Sequence, residues 1–198
     1  MVEKICCFIT SIWCKRGVIS PNDESIYRYG LELLMSTAVN LLCLIGISIL
    51  LKEKLFWISY LASFIPCRIF GGGYHAQTHL GCILFTIGLY LLAIFSARLV
   101  PTNSAPIVCI AITVFLLVTV FALAPVSAHN KPLMPCERKK YRKIALLISL
   151  AIFLLSLFFA CSKRLLPLRQ EVAFSIGAGM AGLSMIVGTI LEQGRRFK

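Results

Sequence analysis

The sequence predicts an all-α integral membrane protein with about six transmembrane helices and an N-terminal amphipathic helix in the membrane interface. Hydrophobic residues make up 59% of its 198 residues and charged residues only 14%, whereas globular domains contain about 25% charged residues. Several apolar runs are long enough to cross about 30 Å of hydrocarbon. The basic residues, which give a net charge of +12, lie between these runs and form no basic domain that could dock a duplex. These features exclude an ordinary soluble enzyme and a disordered chain, and no nucleic acid is expected as a partner.

The first element, residues 3–16, is predicted to be an amphipathic helix rather than a span. Apolar side chains recur there at helical spacing, with polar residues elsewhere on the helical wheel. Such a helix lies in the membrane interface or packs against the rest of the protein, and the residues favour neither alternative. Gly17 ends this helix, and Ser20 followed by Pro21 is a start signal for the next one.

The whole chain, residues 1–198, reads as a single membrane domain. Apolar runs predict spans at about 28–51, 55–70, 82–99, 106–124, 144–161 and 171–191. Six spans place both termini on one side, and that side also receives most of the lysines and arginines. By the positive-inside rule this is the cytoplasmic side. The nine cysteines are scattered without a Cys-x2-Cys pair, so most are expected to be packing residues.

Reactive residues concentrate in segment 68–82, at the predicted cytoplasmic boundary between the second and third spans. It contains His75, His79, Cys82 and the three consecutive glycines 71–73. Consecutive glycines disfavour a helix and allow positive φ. The backbone amides of such a loop, ahead of a helix start, can stabilise an anion.

Three interpretations of this segment stay open on the residues alone. A cysteine thiolate activated by an imidazole would support nucleophilic catalysis. The His-x3-His-x2-Cys spacing would suit a metal, although zinc needs a fourth ligand. The third interpretation is a polar boundary without chemistry. In one straight helix His75 and Cys82 would be separated by about 10.5 Å of rise, whereas His79 and Cys82 would be neighbours. Periodicity therefore favours His79 as a base, and His75 can serve only if the chain bends.

The pattern Arg-x4-Gly-x-His-x6-Cys, formed here by Arg68, Gly73, His75 and Cys82, resembles the signature of the AgrB family. The local string GGYHA, the loop of residues 124–133 and the basic run that follows it are also similar to this family. So are the length, the multispan layout and the N-terminal segment, and the resemblance therefore covers nearly the whole chain. AgrB proteins are bacterial membrane cysteine endopeptidases that process precursors of cyclic autoinducing peptides for quorum sensing.

The resemblance implies that Cys82 is the nucleophile and His75 its general base, with a bend between them, and that Arg68 and Gly73 support activity. It also implies a small amphipathic, AgrD-like peptide precursor as substrate, membrane lipids as surroundings, and a location in the bacterial cell membrane with the active-site loop in the cytoplasm. A homodimer is compatible with it, and no cofactor or metal is expected. Gly71 and Gly72 belong to the same supporting loop.

The remaining candidates are assigned less directly. Asn40, Gln77 and Asn130 are residue types that can orient an imidazole. Glu32 is the main candidate for a buried acid, or else an interfacial residue exposed to water or paired with Arg28. Glu32 and Asn130 are also candidate substrate-binding residues. A basic run satisfies the positive-inside rule and can also bind an acidic part of the precursor; it comprises Lys131, Arg138, Lys139, Lys140, Arg142 and Lys143. Two rival functions remain: a metal-dependent membrane hydrolase that uses His75, His79 and Cys82, and a non-enzymatic small transporter or scaffold.

Overall fold

The computed structural model describes residues 2–53, 55–74, 76, 78–126, 134–162 and 167–196. Within these ranges it contains seven α-helices, one short 3-10 helix and no β-strand. The helices are α1 (Val2–Lys15), α2 (Glu24–Leu50), α3 (Phe56–Gly71), α4 (His79–Leu99), α5 (Ala105–Leu123), α6 (Pro135–Cys161) and α7 (Leu168–Arg196). The predicted all-α class is confirmed.

The six helices from α2 to α7 coincide with the six apolar segments, but they differ in length. Five of them, all except α3, are long and apolar enough to cross a membrane. Helix α3 has 16 residues, which give about 24 Å of rise and fall short of a full hydrocarbon core. The count of six spans is therefore approximate.

Helix α7 lies at the centre of the bundle. Its residues from Glu171 to Gly182 are all buried, and it contacts α3, α4, α5 and α6. Small residues make these contacts close: a Cβ atom added at Gly177 would lie 3.1 Å from the Tyr60 carbonyl carbon, and one at Gly179 would lie 2.7 Å from Ile112 Cγ2. Interfaces between membrane helices are typically built from such small residues.

Successive helices run in alternating directions, so the bundle has two ends. At one of these ends an ion-pair cluster holds three elements together. Glu53, in the loop after α2, pairs with Arg169 of α7 and, at 3.4 Å, with Arg98 of α4. Arg169 also donates to the Ala97 carbonyl oxygen at 2.8 Å. The hydrogen bond from Arg169 is the main cause that lowers the pKa of the Glu53 carboxyl. The cluster joins the loop after α2, the end of α4 and the start of α7.

Helix α1 packs against α2 through small side chains. Cys6 and Thr10, one turn apart, are fully buried, whereas Ile5 and Phe8 are exposed. Burial raises the pKa of the Cys6 thiol, and the Glu32 carboxylate of α2 raises it further. Gly17, with a φ of 68°, follows the end of the helix. The helix therefore contacts the protein and still presents large apolar side chains outward, which suits an interfacial position.

Candidate active site

The glycine segment ends α3 and crosses to the loop that follows α5. Gly72 and Gly73 have φ values of 78° and 141°, which L side chains rarely adopt. Gly72 pairs with Val126 in an isolated parallel β-bridge, and the Val126 N–H donates to the Gly71 carbonyl oxygen at 2.9 Å. The two loops at this end of the bundle are thus joined through backbone atoms.

Arg68, in the last turn of α3, holds the glycine segment against α7. Its Nη1 donates to Ser184 Oγ and its Nη2 donates to the Tyr74 carbonyl oxygen. The Tyr74 N–H in turn donates to the Ser184 carbonyl oxygen at 2.9 Å. Side chain and backbone therefore form a closed set of hydrogen bonds among three residues from α3, the loop and α7.

Cys82 lies in the first turn of α4 and is half-buried. Thr78 caps this helix: it is extended, and its Oγ1 accepts from the Gly81 N–H at 3.1 Å. The Cys82 N–H donates to the Thr78 carbonyl oxygen at 3.1 Å. The positive end of the helix dipole therefore lies at the turn that carries Cys82 and favours an anion there.

The loop returns to α4 on both sides of Cys82. The ring of Tyr74 meets the ring of Phe85 edge-on, with the centroids 4.8 Å apart. On the other side, a Cβ atom added at Gly81 would lie 3.0 Å from Ala76 Cβ. The Arg68 guanidinium interacts electrostatically with Cys82. A helix N-terminus and a folded-back loop thus meet at this cysteine, and Arg68 holds that loop against α7.

Residues 75–82 do not form one straight helix, because α4 begins at His79 and its cap, Thr78, is extended. The objection that helical rise separates His75 from Cys82 therefore does not apply. His75 and Gln77, and the side chain of His79, lie outside the described residues. Among the residues that the structure describes, no group of three His, Cys, Asp or Glu side chains is placed to hold a metal ion.

The other predicted residues are distributed as follows. Asn130 and Lys131 lie outside the described ranges. Glu32 faces α1, where it interacts electrostatically with Cys6. The rest of the basic run lies exposed at the start of α6, at the same end of the bundle as Cys82, and comprises Arg138, Lys139, Lys140, Arg142 and Lys143.

Comparison with known protein families identifies the family of this chain. A family model described as AgrB, accessory gene regulator B, matches residues 5–190. The chain belongs to the AgrB family. Membership and the long apolar helices identify it as a membrane protein of the accessory gene regulator B type.

Curated relatives agree with this assignment at modest identity. Proteins named "Putative AgrB-like protein" from Listeria innocua serovar 6a and Listeria monocytogenes serotype 4a are 27% and 28% identical over 135 and 125 residues. These alignments cover 66% and 62% of this chain, and the chain spans 65% and 60% of the length of those AgrB-like relatives. No solved structure matches the chain.

Three residues of this AgrB-family site were not anticipated from the sequence: Tyr74, Ser184 and Gly188. Gly188 is buried on α7, and a Cβ atom there would lie 2.7 Å from the Tyr74 backbone nitrogen. The available signal was the Ser-x3-Gly spacing within the last span, which is typical of a close helix contact in a membrane. Nothing local in the sequence indicates that the contact is with a loop.

Proposed function

We propose that the protein is a membrane-embedded cysteine endopeptidase. It removes the C-terminal part of a small quorum-sensing peptide precursor and lets the remaining acyl group cyclise to a thiolactone or lactone. The observation that carries the proposal is the placement of Cys82 in the first turn of α4, beside a loop that Arg68 holds against α7. Family membership supports a peptide precursor as substrate in general terms.

The proposed chemistry has two acyl-transfer steps. The Cys82 thiolate attacks the carbonyl carbon of the scissile bond, the C–N bond breaks, and the leaving amine takes a proton from the imidazolium of His75. A thiol within the precursor then gives its proton to His75 and attacks the thioester, which frees Cys82 and closes the ring. One thioester replaces another, and the intramolecular nucleophile has a high effective concentration.

The local contacts support Cys82 as nucleophile and His75 as base. The N-terminus of α4, capped by Thr78, favours negative charge at the turn that carries Cys82. The two chain neighbours of His75 contact α4 on either side of that cysteine, Tyr74 at Phe85 and Ala76 at Gly81. The base is therefore carried by a segment whose ends are anchored beside the nucleophile.

The proposed orientation places both termini, the loop after α3 and the loop after α5 in the cytoplasm of a bacterial cell. The exposed basic residues at the start of α6 would then bind the acidic part of the precursor, and an amphipathic precursor would reach the site along the inner leaflet. Accessibility labelling of single cysteines in intact cells tests this orientation. Labelling of residues 125–143 from outside the cell would contradict it.

The nucleophile is tested by trapping the acyl-enzyme. A precursor that lacks its own ring-forming cysteine should stall on the native enzyme as an adduct that hydroxylamine releases. Cys82→Ala should form neither adduct nor cleaved product, whereas Cys43→Ala, which alters another half-buried cysteine, should do both. Mass spectrometry locates the adduct. Normal cleavage by Cys82→Ala, or an adduct on Cys67 or Cys136, contradicts the proposal.

The base is tested by comparing two histidines. His75→Ala should abolish cleavage, and His79→Ala should retain substantial activity. Activity that survives a chelator but not a thiol alkylator separates the thiol enzyme from a metal-dependent hydrolase. If the His79→Ala variant were inactive and the His75→Ala variant active in cleavage, the base would have been assigned to the wrong histidine.

A further inference from the structure

The last helix carries two residues at the candidate site that the catalytic proposal does not use. Ser184 is fully buried and Gly188 is buried one turn later. Residues four apart lie on one face of a helix, and this face of α7 meets the end of α3 and the loop after it. Both residues contact the segment that leads to His75.

Ser184 makes two different bonds to this segment. Its side-chain oxygen accepts from Arg68 Nη1, and its carbonyl oxygen accepts from the Tyr74 N–H at 2.9 Å. The helix already uses one lone pair of that carbonyl oxygen, and Tyr74 takes the other. Arg68 Nη2 donates to the Tyr74 carbonyl oxygen. Loss of the serine hydroxyl would therefore remove one of the two hydrogen bonds that the guanidinium makes within the described part of the chain.

Gly188 supplies the space for this approach. A Cβ atom there would lie 2.7 Å from the Tyr74 nitrogen and 2.8 Å from the Gly73 carbonyl carbon. Both are backbone atoms, so no side-chain rotation relieves the overlap. An alanine at this position would push the loop away from α7, and the hydrogen bond between Tyr74 and Ser184 would lengthen.

We propose that Ser184 and Gly188 are positioning residues that act through Arg68. Helix α7 holds the guanidinium and the Tyr74 backbone, and thereby the loop that carries the proposed base His75 and contacts α4 at Phe85 and Gly81; the position of this loop sets the reactivity of Cys82. The inference rests on the proposed function, in which Cys82 is the nucleophile. Neither residue touches the reacting atoms. Their effect depends on holding the loop whose residues Tyr74 and Ala76 contact α4 at Phe85 and Gly81.

The test measures how fast Cys82 is alkylated by iodoacetamide in isolated membranes, with mass spectrometry of the modified peptides. The exposed Cys161 serves as an internal reference for reagent access. Ser184→Ala should slow alkylation of Cys82 by about three- to tenfold relative to Cys161, because loss of the hydrogen bond to the charged Arg68 loosens the loop that carries His75, the proposed base. Ser175→Ala is the matched control, since Ser175 is a fully buried serine of the same helix, bonded instead to Ser156.

A double-mutant cycle separates positioning from a general structural role. If Ser184 acts through the guanidinium, Ser184→Ala should have no further effect on Cys82 alkylation in an Arg68→Ala background. An equal loss in both backgrounds, or an unchanged rate in folded Ser184→Ala protein, would overturn the proposal.

Gly188→Ala provides a second, independent variant. It should slow alkylation of Cys82 as Ser184→Ala does, whereas Gly88→Ala, whose Cβ would enter open space on α4, should not. Unchanged alkylation in Gly188→Ala would show that close approach of the loop to α7 is not required.

Alkylation needs no precursor, so the outcome is independent of peptidase activity. An enzyme whose Cys82 responds as expected but that cleaves no precursor would refute the proposed function and leave the positioning role standing. With an active enzyme, Ser184→Ala should lower the single-turnover cleavage rate and leave KM unchanged. A raised KM at an unchanged rate would instead indicate a substrate-binding role and overturn the proposal.

Discussion

Gly73→Ala is expected to disable the candidate site without unfolding the bundle. Gly73 has a φ of 141°, a conformation that costs an L residue about 1–3 kcal/mol. The added Cβ atom would also overlap Arg68 Nη1 and Ser184 Oγ and would lie 3.3 Å from the Ser184 carbonyl carbon. Separating the two polar groups forfeits a charged hydrogen bond worth about 1.5–3 kcal/mol.

Together these costs reach about 2.5–6 kcal/mol, and the loop avoids them by leaving its place against α7. At about 1.4 kcal/mol for each factor of ten, the native arrangement becomes at least about sixtyfold rarer. We expect cleavage of a co-expressed precursor to fall by about the same factor, measured by quantitative mass spectrometry at equal enzyme amounts.

Gly71→Ala is the matched control. Gly71 ends α3, its φ is not positive, and the nearest atoms to an added Cβ belong to the flexible end of Met185. Because the methionine can move, we expect less than about a tenfold loss of activity. Equal losses in both variants, or native activity in Gly73→Ala, would refute the reasoning.

Three further predictions concern stability and the helix that carries Cys82. Gly177→Ala should lower the unfolding temperature in detergent, because the added atom meets α3 backbone and costs about 1–3 kcal/mol; Gly46→Ala, in open space, should not. Hydrogen bonds from Arg169 and Arg98 lower the pKa of the Glu53 carboxyl. The carboxylate therefore contributes its full stabilisation of the folded protein above the ordinary carboxyl pKa, and this contribution is lost as the pH falls through the lowered value. Glu53→Gln should therefore destabilise at pH 7 and have little effect in strong acid. Thr78→Ala should remove a cap worth about 1 kcal/mol and slow Cys82 alkylation. Ser104→Ala should leave it unchanged, because the Ser104 side chain makes no capping hydrogen bond and donates instead to the Pro101 carbonyl oxygen.

The positions of the helices could be predicted because the length of an apolar run is a local property of the sequence. The start signal at Ser20 and Pro21 was also local, and the structure has a Ser20 cap with Pro21 at the first position of the short helix. The central position of α7 could not be derived in this way. Lipid tails are as apolar as a protein core, so hydropathy does not distinguish a buried helix from a lipid-facing one. Only the density of glycine, alanine and serine in the last span carried that information.

The residues of the candidate site could be proposed from the sequence, whereas its architecture could not. The spacing of Arg68, Gly73, His75 and Cys82 indicated this segment through family resemblance. The contacts that shape it join residues far apart in the chain, as when Arg68 bonds to α7. Their geometry depends on which helices are neighbours, and one sequence without an alignment contains no pairwise signal for that.

The backbone contacts around the glycine segment bear directly on the proposed chemistry. Non-helical backbone at a membrane boundary needs partners for its polar groups. Here the protein supplies them: the Gly71 carbonyl accepts from Val126, and both backbone groups of Tyr74 are bonded, to Ser184 and Arg68. A loop satisfied in this way does not depend on water to hold its shape. In the proposed mechanism, water competes with the precursor's own thiol for the thioester on Cys82. A loop whose described backbone groups bond to α7 and to the segment after α5 does not offer those groups to water, as the proposed transfer to the precursor's thiol requires.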